Sequence, residues 1–216
     1  MNHTKIEWTD YTWNPITGCL NGCPYCYARK ISDRFHKSFK PEIHYDRLSQ
    51  PLKENKPSKI FVCSMSDFWG KGVPPIWREE VYNIIKACPN HTFQLLTKQP
   101  QNITGEDRIP ENCWVGVSVS GGDDGWKIGK LLSIIKNNKT FLSYEPVLSS
   151  LSILSYPGLD WIIIGGLTPK PVHDKKHIDN ILTEANNWKI PIFIKDNANY
   201  PIKRKEFPEQ SMTGER

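Results

Sequence analysis

The sequence predicts an α/β fold, a partial or complete parallel (β/α) barrel of about six or seven strands. Three observations carry this. Between residues 60 and 196 one pattern repeats: a short apolar or β-branched run, polar and Gly/Pro punctuation, then a stretch able to hold a helix. Runs such as Trp161, Ile162, Ile163 and Ile164 are apolar throughout instead of alternating, which suits strands covered on both faces of a parallel sheet. Almost every run also ends in polar groups, and in a parallel barrel all those ends share one face.

The predicted strands are 59–63, 92–96, 113–119, 140–144, 161–164 and 190–194, with a first strand inside 6–13. Helices fall at 27–39, 76–88, 126–137 and 176–188, where apolar residues recur three or four apart, as at Val81, Ile84 and Ile85. No linker or low-complexity tract interrupts this order, so residues 1–210 read as one TIM-barrel-like domain and 211–216 as a polar tail.

The chain of 216 residues is 38% hydrophobic and 24% charged, with eight each of Trp, Tyr and Phe, a globular rather than disordered composition. One core can bury about 70% of the surface of a chain this long. The first ten residues lack an apolar signal region, and no segment approaches the length of a membrane span, so the expectation is a cytoplasmic protein without membrane contact. A net charge of +5 permits a phosphate-bearing partner such as nucleic acid, with Lys98, Lys170, Lys175 and Lys195 as candidate contacts. A solvated basic surface explains the same charge.

The strand ends supply the candidate ligand groups: Ser64, Ser66 and Asp67; Thr97 and Lys98; Ser118 and Ser120; Tyr144 and Glu145; Gly165 and Gly166; Lys195 and Asp196. Any one of these serves equally as a helix cap or turn residue. Their recurrence at six ends argues for a site at the carboxyl-end face.

Three of the six cysteines, Cys19, Cys23 and Cys26, lie within eight residues in the spacing C-x3-C-x2-C, with Gly18 and Gly22 free to wrap the backbone tightly. A disulfide framework leaves one of them odd and contradicts a reducing compartment. A structural zinc site needs a fourth ligand; Cys63 within a strand, Cys88 at a helix end and Cys113 at the opposite rim are badly placed, and His3, His36 and His44 lack finger spacing. Three thiolates can instead hold a [4Fe-4S] cluster with one iron open to a ligand. An iron–sulfur electron carrier and a zinc-bound nucleic-acid module are the rival readings.

The cysteine loop resembles the radical S-adenosylmethionine superfamily, whose signature is C-x3-C-x2-C with an aromatic residue before the last cysteine, here Tyr25. A second resemblance, to the phage Gp37/Gp68-like family also called DUF5131, is carried by residues 5–10, 12–15, 17–19, 64–67, 95–98, 114–118, 142–146 and 160–166. The chain departs from that pattern in a shortened cysteine loop, at Leu167 and Thr168, and at residues 195–197, positions that bear on substrate. The first resemblance implies a [4Fe-4S] cluster on Cys19, Cys23 and Cys26 that reductively cleaves S-adenosylmethionine, and an electron donor such as flavodoxin or ferredoxin. The second implies a three-Cys-motif partner protein. By position, Ser64, Ser66 and Asp67 are assigned to the methionyl amine and Ser118 and Ser120 to the ribose. The backbone at Tyr25, Gly165 and Gly166 is assigned to the adenine, and Lys98, Tyr144, Glu145 and Lys195 to the substrate side.

Overall fold

The computed structural model describes residues 1–172 and 174–209, so the tail predicted at 211–216 lies outside the described residues. In chain order the elements are β1 (Asn2–His3), β2 (Tyr11–Trp13), β3 (Ile16–Thr17), α1 (Tyr27–Arg34), β4 (Glu42–Ile43), α2 (Tyr45–Leu48), β5 (Lys59–Val62), α3 (Pro75–Lys86), β6 (Thr92–Thr97), β7 (Cys113–Val119), α4 (Trp126–Ile134), β8 (Lys139–Tyr144), β9 (Trp161–Ile164), α5 (Lys175–Asn187) and β10 (Ile192–Ile194). Eight strands form one sheet in the order β1-β2-β5-β6-β7-β8-β9-β10. Its pairs from β2 to β10 are all parallel, and β1 lies antiparallel on β2. The short β3–β4 pair stands apart.

The helices sit where apolar periodicity places them, and local chemistry sets their ends. On α5, Ile178, Ile181, Leu182 and Ala185 form one buried stripe, and Asp174 caps the first turn by accepting from Lys176 N at 2.9 Å. Helix α3 starts with Pro75 at its first position, where a missing N–H costs nothing. Helix α1 stops five residues short of the predicted end: Ser32 Oγ donates to the carbonyls of Lys37 and Ser38, and His36 takes a left-handed φ of 52°, so the chain turns back. Helix α4 ends at Ile134, because Ile135 turns extended (ψ 118°) and the Asn137–Asn138 pair that follows favours helix poorly.

Strand alternation sorts the side chains into two layers. One face, carrying Phe93, Leu95, Val115, Val117, Leu142, Tyr144, Ile162 and Ile164, packs against the helices in the larger core. The other face gathers Phe61, Trp114, Phe141, Trp161, Ile163 and Phe193 around Trp8 in a separate aromatic cluster. The Trp8 ring lies 4.8 Å from Phe61 on β5 and 6.2 Å from Trp161 on β9. In a flat sheet β5 and β9 would stand about 19 Å apart, four strand spacings. One indole reaches both, so the sheet curls around a lumen whose amino end is plugged by these rings. Gly116 is part of the fit, since a Cβ there would stand 2.5 Å from the Phe141 ring.

Among the described residues the curl does not close. β1 and β10 are the two ends of the sheet. The outer edge of β10 is covered by the C-terminal segment, with Ile194 N donating to Arg204 O at 2.8 Å and Glu206 N to Ile192 O at 3.0 Å. Lys205 in that segment pairs with Glu7, which also accepts from Asp196 N at 2.9 Å. The strand expected inside 6–13 lies at Tyr11–Trp13, and the residues before it turn Trp8 into the lumen.

Candidate active site

The cysteine loop crosses the carboxyl ends of the strands and is fastened there by backbone. Gly18 N donates to Met65 O at 2.9 Å and Cys19 N to Phe39 O at 2.8 Å, tying the loop to the β5 exit and to residue 39. Gly18 has φ +84°, and any Cβ would run into the Lys40 carbonyl, so both conformation and space require glycine. The Arg29 guanidinium donates to Cys19 O at 2.9 Å. Cys26 is the N-cap of α1, its sulfur accepting from Arg29 N at 3.4 Å.

All three thiols are half-buried and unbridged. Asn21 donates to two of them, through its N–H to Cys19 Sγ at 3.4 Å and through its amide to Cys23 Sγ at 3.2 Å. Burial pushes the Cys19 thiol up, the Asn21 N–H opposes this, and the nearby Asp67, Cys23 and Cys26 add to the rise. Among the described residues no three His, Cys, Asp or Glu side chains stand close enough to hold a single metal ion. Thiolates on one zinc must all come within about 2.3 Å of it. A four-iron cluster gives each thiolate its own iron, and three half-buried thiols that each accept an N–H bond have the donor chemistry such a group uses.

The Tyr25 side chain, to which sequence assigns no role, has partners in the fold. Its hydroxyl bonds to Ser120 Oγ at 2.9 Å, joining the loop to the β7 exit, and the Lys98 ammonium sits 5.3 Å over its ring. Lys98 also donates to Ser118 Oγ, which in turn donates to Glu145 O at 3.2 Å. Glu145 pairs with Lys195 across the lumen mouth. Gly165 makes that packing possible, because a Cβ there would lie 2.7 Å from the Glu145 carboxyl carbon, and a Cβ on Gly166 would strike Asn197 O at 2.5 Å.

At the β5 exit the hydroxyls of Ser64 and Ser66 donate to Asn14 Oδ1 at 3.1 Å and to Gly18 O at 2.6 Å. Each keeps acceptor lone pairs for an incoming ammonium. Asp67 is only 7% exposed, and its oxygens accept from Thr97 Oγ1 at 2.6 Å, Lys98 N at 2.9 Å and Trp69 N at 3.2 Å. Burial raises its carboxyl above the usual range and these bonds pull it back. With three acceptor sites filled, Asp67 chiefly holds the β5 and β6 exits together.

Two sequence expectations are corrected. Tyr144 falls on the helix-facing side of β8, fully buried; its hydroxyl donates to Ser149 O, and burial raises it to about 12, so it belongs to the core and not to the substrate side. Cys63 lies one residue beyond β5, at φ 60°, instead of within the strand. Sequence reasoning also passed over Asn14, Asn21 and Arg29, which organise the loop. Asn14 lies inside the quoted 12–15 motif, but only the fold reveals its bond to residue 64.

The family described as "Protein of unknown function (DUF5131)" matches residues 3–215. The chain belongs to this family. No curated protein matches it. Among solved structures it is similar to a substituted spore photoproduct lyase, with a TM-score of 0.59 and 12% identity over 89% of this chain and 78% of that one. Spore photoproduct lyase complexed with dinucleoside spore photoproduct gives a TM-score of 0.58 at 12% identity with the same coverage. A doubly substituted form with bound AdoMet and dinucleoside spore photoproduct gives 0.55 at 13% identity, over 86% of this chain and 63% of that one. The DUF5131 chain therefore shares its fold with spore photoproduct lyase.

Proposed function

We propose that the DUF5131 chain is a radical S-adenosylmethionine enzyme whose [4Fe-4S] cluster is held by Cys19, Cys23 and Cys26. The observation that carries this is the position of the three thiols: a glycine-dependent loop fixed over the carboxyl-end mouth of a curled parallel sheet. The shared fold, which in one relative holds AdoMet, supports it. When bound and reduced, the cluster would supply the electron that splits the sulfonium C–S bond of S-adenosylmethionine, giving methionine and a 5′-deoxyadenosyl radical able to take hydrogen from a substrate.

The chain's own residues would bind and orient the reactants. Ser64 and Ser66 offer acceptors to the methionyl ammonium, with Asp67 holding their loop in place. Ser118 and Ser120 line the ribose side, and the Tyr25–Ser120 bond closes the cysteine loop over them. Lys98, Glu145 and Lys195 form the charged rim facing the substrate, while the aromatic plug below keeps water from the lumen. The test is anaerobic incubation of the reduced, iron-loaded protein with S-adenosylmethionine. Release of 5′-deoxyadenosine and methionine is expected. A loaded cluster that yields none under any reductant would transfer the reading to an electron carrier.

A further inference from the structure

Helix α1 begins at a cluster cysteine: Cys26 is its N-cap, and Ala28 and Ser32 are its buried residues. Beside that buried face runs an apolar row spaced by four, Tyr27, Ile31 and Phe35, which are 53%, 39% and 64% exposed. Leu20, inside the cysteine loop, is a further exposed apolar side chain at 47%. Single exposed apolar residues are ordinary, but a row along one helix marks a contact surface.

The charge around this row is one-sided. Residues 27–40 carry Arg29, Lys30, Arg34, Lys37 and Lys40 against Asp33 alone, a net +4 in a chain whose total is +5. Arg29 is engaged with Cys19 O and with the Phe39 ring at 5.0 Å. Lys30, Arg34 and Lys37 are exposed and make no ion pair among the described residues. An apolar strip with a basic rim is the anatomy of a protein interface that selects an acidic partner. A single-stranded nucleic acid would instead want successive aromatic platforms, and here aliphatic Ile31 separates the two rings.

We infer that this face of α1 is the docking site for a small acidic one-electron donor protein, which seats on Tyr27, Ile31 and Phe35 and is steered by Lys30, Arg34 and Lys37. The inference rests on the proposed function, because a cluster on Cys19, Cys23 and Cys26 needs an electron and this surface starts one residue beyond the last of them. The partner is thus brought beside the cluster on the outer side of α1, leaving the lumen of the curled sheet free for substrate.

The test uses the iron-loaded full chain and an acidic flavodoxin as probe. Its affinity is measured by anisotropy of labelled flavodoxin at roughly 50 and 200 mM salt, and cluster bleaching by flavodoxin hydroquinone is followed in a stopped-flow instrument. Lys30→Glu/Arg34→Glu should weaken binding at low salt by about tenfold or more and slow bleaching in parallel. Phe35→Ser should weaken binding at both salt concentrations. Reduction by dithionite, and the 5′-deoxyadenosine it yields, should stay unchanged in both variants. Unchanged affinity and bleaching in the variants, no flavodoxin binding by the parent protein, or loss of binding to a labelled single-stranded oligonucleotide with flavodoxin reduction intact would each overturn the docking site. A parent protein that bleaches with dithionite and forms 5′-deoxyadenosine keeps the proposed function whichever way the docking result falls. A parent protein that loads no cluster removes both.

Discussion

The two ends of the lumen are built from the same strands and do opposite things. At the amino end, Phe61, Trp114, Phe141, Trp161 and Phe193 close around Trp8 and bury nearly all of their surface. At the carboxyl end, the same face of those strands continues into Lys98, Ser118, Glu145, Gly165 and Lys195, under the cysteine loop. The lower layer contributes hydrophobic stability and fixes the curl. The upper layer carries charged groups that would gain more stability as aliphatics and are kept where a ligand can use them. Moving along one strand by two or four residues therefore changes the purpose of a side chain without changing its face.

Substitutions should separate the two ends. At the upper end, Cys23→Ala or Cys26→Ala should abolish iron and sulfide incorporation while leaving the melting curve of the metal-free protein close to that of the parent. At the lower end, Trp161→Ala should cost about 3–5 kcal/mol of stability, the usual range for emptying a buried aromatic site. Chemical denaturation reads this directly, and a loss under 1 kcal/mol would mean that the plug does not hold the curl. Gly18→Ala should reduce iron content with little change in overall fold, because its Cβ meets the Lys40 carbonyl only at the loop. Ser118→Ala should weaken S-adenosylmethionine binding by about tenfold, near 1.4 kcal/mol, at nearly constant stability, as isothermal titration would register.

The smallest effect lies in the pH dependence of the lower end. Trp161 Nε1 donates to Glu206 O at 2.8 Å, tying the plug to the C-terminal segment. The Arg204 hydrogen bond, helped by the Ile192 N–H, holds the Glu206 carboxyl below its usual 4.5. A depressed carboxyl stabilises the fold above its unfolded value and loses that contribution as pH falls through the folded one. Glu206→Gln should lower stability slightly near neutrality and flatten the acid side of the stability curve, parent and variant converging as pH falls below about 4.5.

Much of this was legible in the residues because periodicity and punctuation are local. The runs at 113–119 and 161–164 and the stripe through Ile178, Ile181 and Leu182 reappear as β7, β9 and α5. The cysteine spacing picks out a loop that the fold ties to the β5 exit. Parity was harder to see: Tyr144 and Glu145 are neighbours in sequence, yet the strand sends one into the helix-facing core and the other into the lumen mouth. Nor does sequence show that Ser32 folds the chain back and shortens α1, or that residue 14 reaches residue 64. Such pairings are set by which strands lie side by side, and hydrophobic pattern carries no trace of them. Asp67 illustrates the same limit from the other side, since an acid at a strand exit suggests a free ligand until its three internal donors are located.

What Cys19, Cys23 and Cys26 hold decides between a radical enzyme and its rivals. Iron and sulfide analysis of anaerobically purified protein, combined with the low-temperature magnetic resonance spectrum of the reduced state, tests it most directly. About four irons and four sulfides per chain are expected, with a spectrum that changes when S-adenosylmethionine is added, and both should be retained in Cys63→Ala, Cys88→Ala and Cys113→Ala. Stoichiometric zinc without sulfide, or a cluster spectrum indifferent to S-adenosylmethionine, would contradict the radical-enzyme reading.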